Sequence, residues 1–93
     1  MLFVTLCTPK PTTTMAEVLK QRARWTPPEG RKPIGEYWLM TSNPSVIIIS
    51  EADNIAPIMA ASMPWMDMFN MTIVPAVTGE EGLKLASEMM PKT

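Results

Sequence analysis

The alternation of apolar and polar positions predicts four β-strands and three α-helices along this chain. Short apolar runs bounded by turn residues are typical of strands, whereas apolar side chains repeating at helical spacing indicate helices. The predicted strands cover residues 1–7, 34–40, 46–51 and 71–77. The predicted helices cover residues 14–25, 54–63 and 79–90. This β-α-β-β-α-β order with a final helix predicts one ferredoxin-like α+β domain over residues 1–93, with a four-stranded antiparallel sheet.

Capping residues and prolines locate several of the predicted boundaries. Segments 14–17 and 78–81 each place a glutamate three residues after a threonine. In such a capping box the threonine hydroxyl accepts a hydrogen bond from a first-turn amide, and the acid reaches back to the cap. Pro75 cannot donate a hydrogen bond to a neighbouring strand, so the fourth strand should lie at a sheet edge. Pro91 is expected to end the last helix.

Alternation along the predicted strands divides the sheet into two faces. Because helices cover one face of this fold, the other face should be polar if it meets water. The side chains expected to face the helices are Leu2, Val4, Leu6, Tyr37, Leu39, Ile47, Ile49 and Ile73. Those expected on the opposite face are Phe3, Thr5, Cys7, Glu36, Trp38, Met40, Val46, Ile48, Ser50, Thr72 and Val74. The second set is too apolar to be covered by water alone, so we expect a homodimer in which this face packs against a second copy.

The composition is that of a folded domain, because 46% of the residues are hydrophobic and 18% are charged. The formal net charge of −1 argues against a nucleic-acid partner, since such proteins carry a basic excess. RNA-binding versions of this fold stack bases on aromatic side chains of the central strands, and residues 46–49 contain none. The longest apolar run, near residues 55–66, is too short to span a bilayer, so no membrane partner is expected. A single cysteine and an amino terminus unlike a signal peptide make the cytoplasm the expected compartment.

The sequence contains no histidine, which removes the commonest general base and metal ligand near neutral pH. Ser-His-Asp and Cys-His nucleophiles, histidine-ligated zinc and a histidine-ligated haem are therefore excluded. Any catalysis would depend on carboxylates, Tyr37, lysine, arginine or the single thiol. No cofactor is predicted.

Four side chains with polar atoms fall on the face assigned to the dimer: Thr5, Glu36, Trp38 and Ser50. A carboxylate, an indole and two hydroxyls in an apolar lining are typical of a small-molecule site. Glu36 either transfers protons, which apolar neighbours would favour, or points to solvent or to an arginine of the second copy. Arg22, on the apolar face of the first helix, either binds a ligand carboxylate or lays its stem over the core.

Three other groups carry candidate chemistry, and for each we favour a structural explanation. Glu51 and Asp53 resemble a metal-binding pair, but Asp53 or Asn54 is a natural cap for the second helix and no third ligand is near. Five methionines could bind Cu(I), but methionine more often fills irregular cores, and residues 64–66 are expected to plug a barrel end or the dimer seam. Cys7, without a histidine to activate it, is expected to be a buried, inert thiol. The methionines are Met59, Met63, Met66, Met68 and Met71.

Several segments resemble a family of small proteins known only as a domain of unknown function. They are MLFVTLCTPKP, EYWL, VIIISEAD, APIMAASMPW and VPAVTGEEGLKLASEMMPK, and together they span most of the chain. That family is similar to the dimeric α/β-barrel superfamily, in which two ferredoxin-like sheets pack face to face. The resemblance implies this fold and a dimer, but no transferable catalytic residue. Wider relatives include cofactor-independent monooxygenases, small isomerases, haem enzymes and ligand-binding proteins.

Two functions are consistent with these observations. The first is a dimeric barrel that binds a small hydrophobic or aromatic molecule in an apolar cavity without altering it, and we favour it because no acid–base constellation stands out. The alternative is an enzyme similar to the cofactor-independent monooxygenases or isomerases, with Glu36 moving a proton and Trp38 and Thr5 orienting the substrate. A third option is a structural protein whose apolar face contacts a different chain.

Overall fold

The computed structural model describes residues 1–90, which form an α+β fold. Its strands are β1 (Leu2–Pro9), β2 (Lys32–Trp38), β3 (Val46–Glu51) and β4 (Phe69–Ala76). Its helices are α1 (Met15–Arg24), α2 (Ala56–Ser62) and α3 (Gly79–Met89), and a 3-10 turn (Met63–Trp65) follows α2. The strands are antiparallel and lie in the order β2-β3-β1-β4, which confirms the predicted ferredoxin-like arrangement. None of these helices is both long enough and apolar enough to cross a bilayer.

The strand β3 has its predicted bounds, whereas the other three strands are displaced by one or two residues. β1 extends to Pro9 because its end pairs with the beginning of β4, where Pro9 lies opposite Phe69. The β2–β3 hairpin closes earlier than predicted, since the Leu39 amide donates to the Ser45 carbonyl at 2.8 Å. Pro75 lies on the edge strand β4, as predicted.

Both threonine caps are formed at the predicted positions. The Thr14 hydroxyl oxygen accepts a hydrogen bond from the Glu17 amide at 3.2 Å, and the Thr78 oxygen accepts from the Glu81 amide at 3.1 Å. The Glu17 carboxylate accepts from the Thr14 hydroxyl at 2.9 Å. The acid therefore reaches the cap through its side chain, whereas the capping box uses the backbone amide.

The helix α2 begins at Ala56, one or two residues later than a cap at Asn54 or Asp53 predicts, with Pro57 in its first turn. The Ala56 amide donates to the side-chain oxygen of Asn54 at 2.9 Å. Of the two candidate caps, Asn54 therefore supplies the hydrogen bond, and Asp53 is exposed. Pro91, which was expected to end the last helix, lies outside the described residues.

The predicted faces are wrong for β1, β2 and β3 and correct for β4. Thr5 is 4% exposed and Ser50 is 1% exposed, and both lie on the side of the sheet that the helices cover. An error of one residue in the register exchanges the two faces of a strand. In β1 and β3 the side chains of either face are apolar enough to form a core, so alternation alone did not distinguish the faces. The helix-covered side holds Phe3, Thr5, Cys7, Glu36, Trp38, Val46, Ile48, Ser50 and Ile73. The other side, which we call the open face, holds Leu2, Val4, Leu6, Tyr37, Ile47, Ile49, Thr72 and Val74. Leu39 and Met40 follow β2 in the hairpin loop.

The core between the sheet and the helices is small and divided. At one end Ile58 of α2 packs against Phe3, Ala52 and Ile73. At the other end Val18 is the one buried residue of α1, and it belongs to a second cluster. That cluster contains Cys7, Val46, Ile48, Trp65, Met68, Phe69 and Met71.

The open face and α3 expose much of the chain's apolar surface. Tyr37 on the open face is 55% exposed, and its ring lies over Gly35, where an added Cβ would stand 2.8 Å from the ring. No residue of α3 is buried, and Leu83 is 76% exposed. The Cα radius of gyration is 15.7 Å, whereas a compact chain of this length has about 12 Å. The single chain is therefore more extended than a packed monomer.

Candidate ligand pocket

An apolar pocket lies between the helix-covered side of the sheet and helices α1 and α2. Its walls include Val18 of α1, Ile58 and Ala61 of α2, and Val46 and Ile48 of β3. The cavity volume is about 50 Å³, and the wider space of about 590 Å³ includes the open mouth. The pocket, which we call the slot, is therefore small and suits a small molecule better than a bulky one.

Aromatic rings form one side of the slot. The rings of Trp25 and Trp65 meet edge to face, with centroids 5.8 Å apart and planes at 74°. The Trp65 ring is also 6.1 Å from Phe69, which is buried at the start of β4. Trp38 lines the pocket as well, so all three tryptophans of the chain surround one space. Offset and edge-to-face packing of this kind is the geometry that aromatic rings prefer with one another.

The carboxylate of Glu36 stands at the mouth of the pocket between two donors. Its Oε2 accepts a hydrogen bond from the indole Nε1 of Trp38 at 2.9 Å. Its Oε1 lies 3.5 Å from a terminal nitrogen of Arg22, which reaches across from α1. The two donors hold the carboxylate in place, and a proton from a substrate would have to go to a lone pair that neither donor occupies.

A second arginine stands beside the first. The guanidinium groups of Arg22 and Arg31 lie 5.5 Å and 5.6 Å from the centroid of the Trp25 ring, within cation–π range. Arg31 precedes β2, and its Nε donates to the hydroxyl of the buried Ser50 at 2.9 Å. Burial lowers the pKa of Arg31 from its ordinary value; the charge of Glu36 opposes this shift and that of Arg22 adds to it.

The thiol of Cys7 lies in the pocket wall. Burial, with a smaller contribution from the nearby charge of Glu36, raises the pKa of Cys7 to about 11. The thiol is therefore protonated at neutral pH and is a poor nucleophile, which agrees with the predicted buried and inert role.

The structure brings most of the predicted site residues together, at a different place from the one expected. Thr5, Arg22, Glu36 and Trp38 line the pocket, and Ser50 is joined to it through Arg31. Alternation along the strands predicted that Thr5, Glu36, Trp38 and Ser50 meet a second copy, whereas these side chains face the helices of their own chain. That these residues bind a ligand stays a prediction.

Four residues of the site were not predicted as such. No prediction placed Trp25, Arg31, Trp65 or Phe69 at a ligand site, although all four line the pocket. No local signal identifies them, because they come from a loop, a 3-10 turn and a strand that are far apart in sequence. Pro27, two residues after Trp25, and Pro64, directly before Trp65, did indicate that both tryptophans stand near the end of an element.

The other candidate groups do not form sites. Glu51 and Asp53 are both exposed, and residues 1–90 contain no group of three or more acidic or cysteine side chains able to hold a metal ion. The five methionines do not share one environment. Met68 and Met71 pack against the core, whereas Met59, Met63 and Met66 are exposed. Within residues 64–66, Trp65 fills part of the core of its own chain.

An antiparallel four-stranded sheet with helices over one face, and an apolar pocket between the two layers, defines a small ferredoxin-like α+β domain. The chain belongs to the family described as Domain of unknown function (DUF3303), which matches residues 1–90. No curated protein and no solved structure matches the chain. The match confirms the resemblance to a domain of unknown function, and the further likeness to the dimeric α/β-barrel superfamily stays a prediction.

Proposed function

We propose that this protein binds a small, flat, hydrophobic or aromatic molecule in the slot between its sheet and its helices. The observation that carries the proposal is the chemistry of the lining. Aliphatic and aromatic walls enclose the space, and a few polar groups, those of Thr5, Glu36 and Arg22, converge on it. Small-molecule sites combine an apolar body with a small number of placed polar groups in this way.

The three tryptophans allow a direct test, because every indole N–H signal in a nitrogen-15 NMR spectrum reports on this pocket. We expect benzamide, a small neutral aromatic probe, to shift these signals in the wild-type protein. Ala61 lines the slot and Ala60 is exposed on the same helix. The variant Ala61→Leu should fill the slot and abolish the shifts, while the matched Ala60→Leu should preserve them.

Two outcomes of this titration would contradict the proposal. One is the absence of any saturable shift with the wild-type protein at millimolar probe, for benzamide and for benzoate alike. The other is equal binding by Ala61→Leu and wild type, with Ala61→Leu showing a native circular dichroism spectrum, because the probe would then bind elsewhere.

The geometry supports binding more than catalysis by Glu36. An enzyme similar to the cofactor-independent monooxygenases or isomerases would need this carboxylate to reach a substrate. In the structure its two oxygens already accept hydrogen bonds, from Trp38 and from Arg22. Glu36→Gln should therefore leave benzamide affinity within about threefold of wild type, since the amide keeps one acceptor oxygen.

We also propose that two copies associate through their open faces, as a dimeric α/β barrel does. The chain exposes 6773 Å², whereas a compact monomer of this length exposes about 5400 Å². The excess exceeds the roughly 800 Å² that each partner buries in an interface of standard size. A second copy is the occupant that suits this surface, because the open face is a nearly uncharged aliphatic sheet surface and two such surfaces complement each other.

Native mass spectrometry of the purified protein tests the association directly. We expect the mass of a dimer at micromolar concentration. A monomer that persists up to millimolar concentration would contradict the proposal and leave the pocket proposal intact, since the pocket lies within one chain.

A further inference from the structure

The charges at the mouth of the pocket do not balance. Arg22 and Arg31 both lie over the Trp25 ring, and the single carboxylate of Glu36 faces them. Glu36 makes one ion pair, with Arg22, at 3.5 Å. Within residues 1–90, Arg31 makes no ion pair at all. The mouth therefore carries one positive charge more than its own side chains neutralise.

Arg31 is held in a way that leaves part of its guanidinium group available. Its Nε donates to the Ser50 hydroxyl at 2.9 Å, which fixes the stem of the group against the sheet. Arginine has five N–H donors in a planar fork, so the terminal nitrogens keep donors beyond that hydrogen bond. Arg31 is half-buried, and a half-buried guanidinium group without a carboxylate partner is a poorly compensated charge.

We infer that the ligand of this pocket is a planar aromatic molecule with one carboxylate group, and that Arg31, assisted by Arg22, binds this carboxylate at the mouth. The inference rests on the proposed binding function and adds the chemical class of the ligand. The aromatic ring enters the slot beside Trp65 and Trp25, and the carboxylate stays at the mouth, where water is still accessible. Planar guanidinium groups match carboxylates in a bidentate geometry, which gives both affinity and orientation.

Glu36 acts in this arrangement as an internal competitor of the ligand. Its Oε1 forms a long ion pair of 3.5 Å with Arg22, and its Oε2 accepts a hydrogen bond from Trp38 at 2.9 Å. A ligand carboxylate at the mouth experiences the negative charge of Glu36 and competes with it for Arg22. Removing that charge should therefore strengthen the binding of an anionic ligand and leave a neutral one unaffected.

Benzoate and benzamide provide a matched pair of probes, because they share shape and ring and differ in charge. We expect wild-type protein to bind benzoate about tenfold more tightly than benzamide, as measured by the indole NMR shifts. Arg31→Gln should reduce this ratio to about one by weakening benzoate binding alone. Glu36→Gln should increase the ratio severalfold. Arg24→Gln is the control on α1, because Arg24 hydrogen-bonds Gln21 and does not line the pocket, so the ratio should not change.

The outcomes separate this inference from the function on which it depends. Equal binding of the two probes by wild-type protein, or an unchanged ratio in Arg31→Gln, would overturn the carboxylate assignment while confirming that the pocket binds aromatic molecules. The absence of saturable shifts with both probes would overturn the binding function itself. If Arg31→Gln does not fold, the salt dependence of binding by the wild-type protein provides the test. Benzoate binding should weaken between about 50 and about 500 mM NaCl, while benzamide binding stays constant. Identical salt responses of the two probes would overturn the inference.

Discussion

The indole Nε1 of Trp38 donates a 2.9 Å hydrogen bond to Oε2 of Glu36, two residues earlier on the same strand. Side chains at positions i and i+2 of a strand point to the same face, so β2 itself brings the two groups together. The strand lies at the edge of the sheet, where a carboxylate can stay hydrated on one side while its other side faces the pocket. The hydrogen bond therefore determines where the negative charge of the mouth is held.

A double-mutant cycle measures this interaction. Trp38→Phe removes the donor and retains an aromatic ring, and Glu36→Gln removes the charge of the acceptor. Because both residues are partly exposed, we expect a coupling free energy of about 1 kcal/mol in urea unfolding, below that of a fully buried charged hydrogen bond. A coupling energy near zero would mean that the charge of Glu36 adds nothing to the interaction with the indole in solution.

The Cys7 thiol makes stability decrease at alkaline pH. Its pKa in the folded protein is raised to about 11 by burial and by Glu36, so the folded state keeps a proton that the unfolded state releases near pH 9. The folded state then binds more protons between pH 9 and 11, and the free energy of unfolding falls across this window by about 2 kcal/mol. Below about pH 8 this contribution is constant.

The variant Cys7→Ala serves as the control for this prediction, because it removes the thiol and leaves every other ionisable group of the chain in place. Urea unfolding at pH 8 and at pH 10.5 should show a smaller loss for Cys7→Ala than for the wild-type protein. Equal losses in the two proteins would show that the thiol is not protected from ionisation.

Two isoleucines near the start of α2 separate core packing from surface effects. Ile58 is 2% exposed and belongs to the cluster with Phe3 and Ala52, whereas Ile55 is 43% exposed. Ile58→Ala should reduce the free energy of unfolding by about 3 kcal/mol, since truncation of a buried isoleucine leaves a cavity. Ile55→Ala should reduce the free energy of unfolding by less than about 1 kcal/mol. Similar losses for both variants, measured by urea unfolding, would contradict the packing of α2 on the sheet.

Local chemistry allowed the order of elements to be predicted, because caps, prolines and apolar runs act within a few residues. Thr14 and Thr78 accept the hydrogen bonds expected of them, and Pro75 lies on an edge strand. The faces of β1 and β3 could not be assigned in the same way. Leu2, Val4 and Leu6 are as apolar as Phe3 and Cys7, so alternation offers two cores of similar quality.

The site could be predicted only in part, for a related reason. Thr5, Glu36 and Trp38 were predicted to share one face of the sheet, and they do share one. What they meet on that face depends on long-range packing. Arg31 and Trp65 come to the pocket from a loop and a 3-10 turn, and no periodic pattern indicates where such residues point.

A charge on the open face should prevent the proposed dimer without unfolding the chain. Val74 is 39% exposed on β4, so a lysine there can reach water in a monomer but would be buried between two sheets. Val74→Lys should give a monomer in light scattering at concentrations where the wild type is a dimer. Leu19→Lys, at a 52% exposed position on α1, is the matched control and should stay dimeric. A dimer that survives Val74→Lys would place the interface elsewhere.

The helix α3 provides the last prediction, because an isolated helix of 11 residues is marginal in water. Thr78 caps it and Glu80 and Glu81 lie in its first turn, but in the single chain none of its residues is buried. If the second copy covers the apolar side of α3, Leu83→Glu should lower helical content and weaken the dimer by at least tenfold in its dissociation constant. Lys84→Glu, at the adjacent exposed position, should change either quantity much less. If Leu83→Glu keeps the dimer affinity of the wild type, α3 lies outside the interface. The proposed dimer would then form through the open face alone.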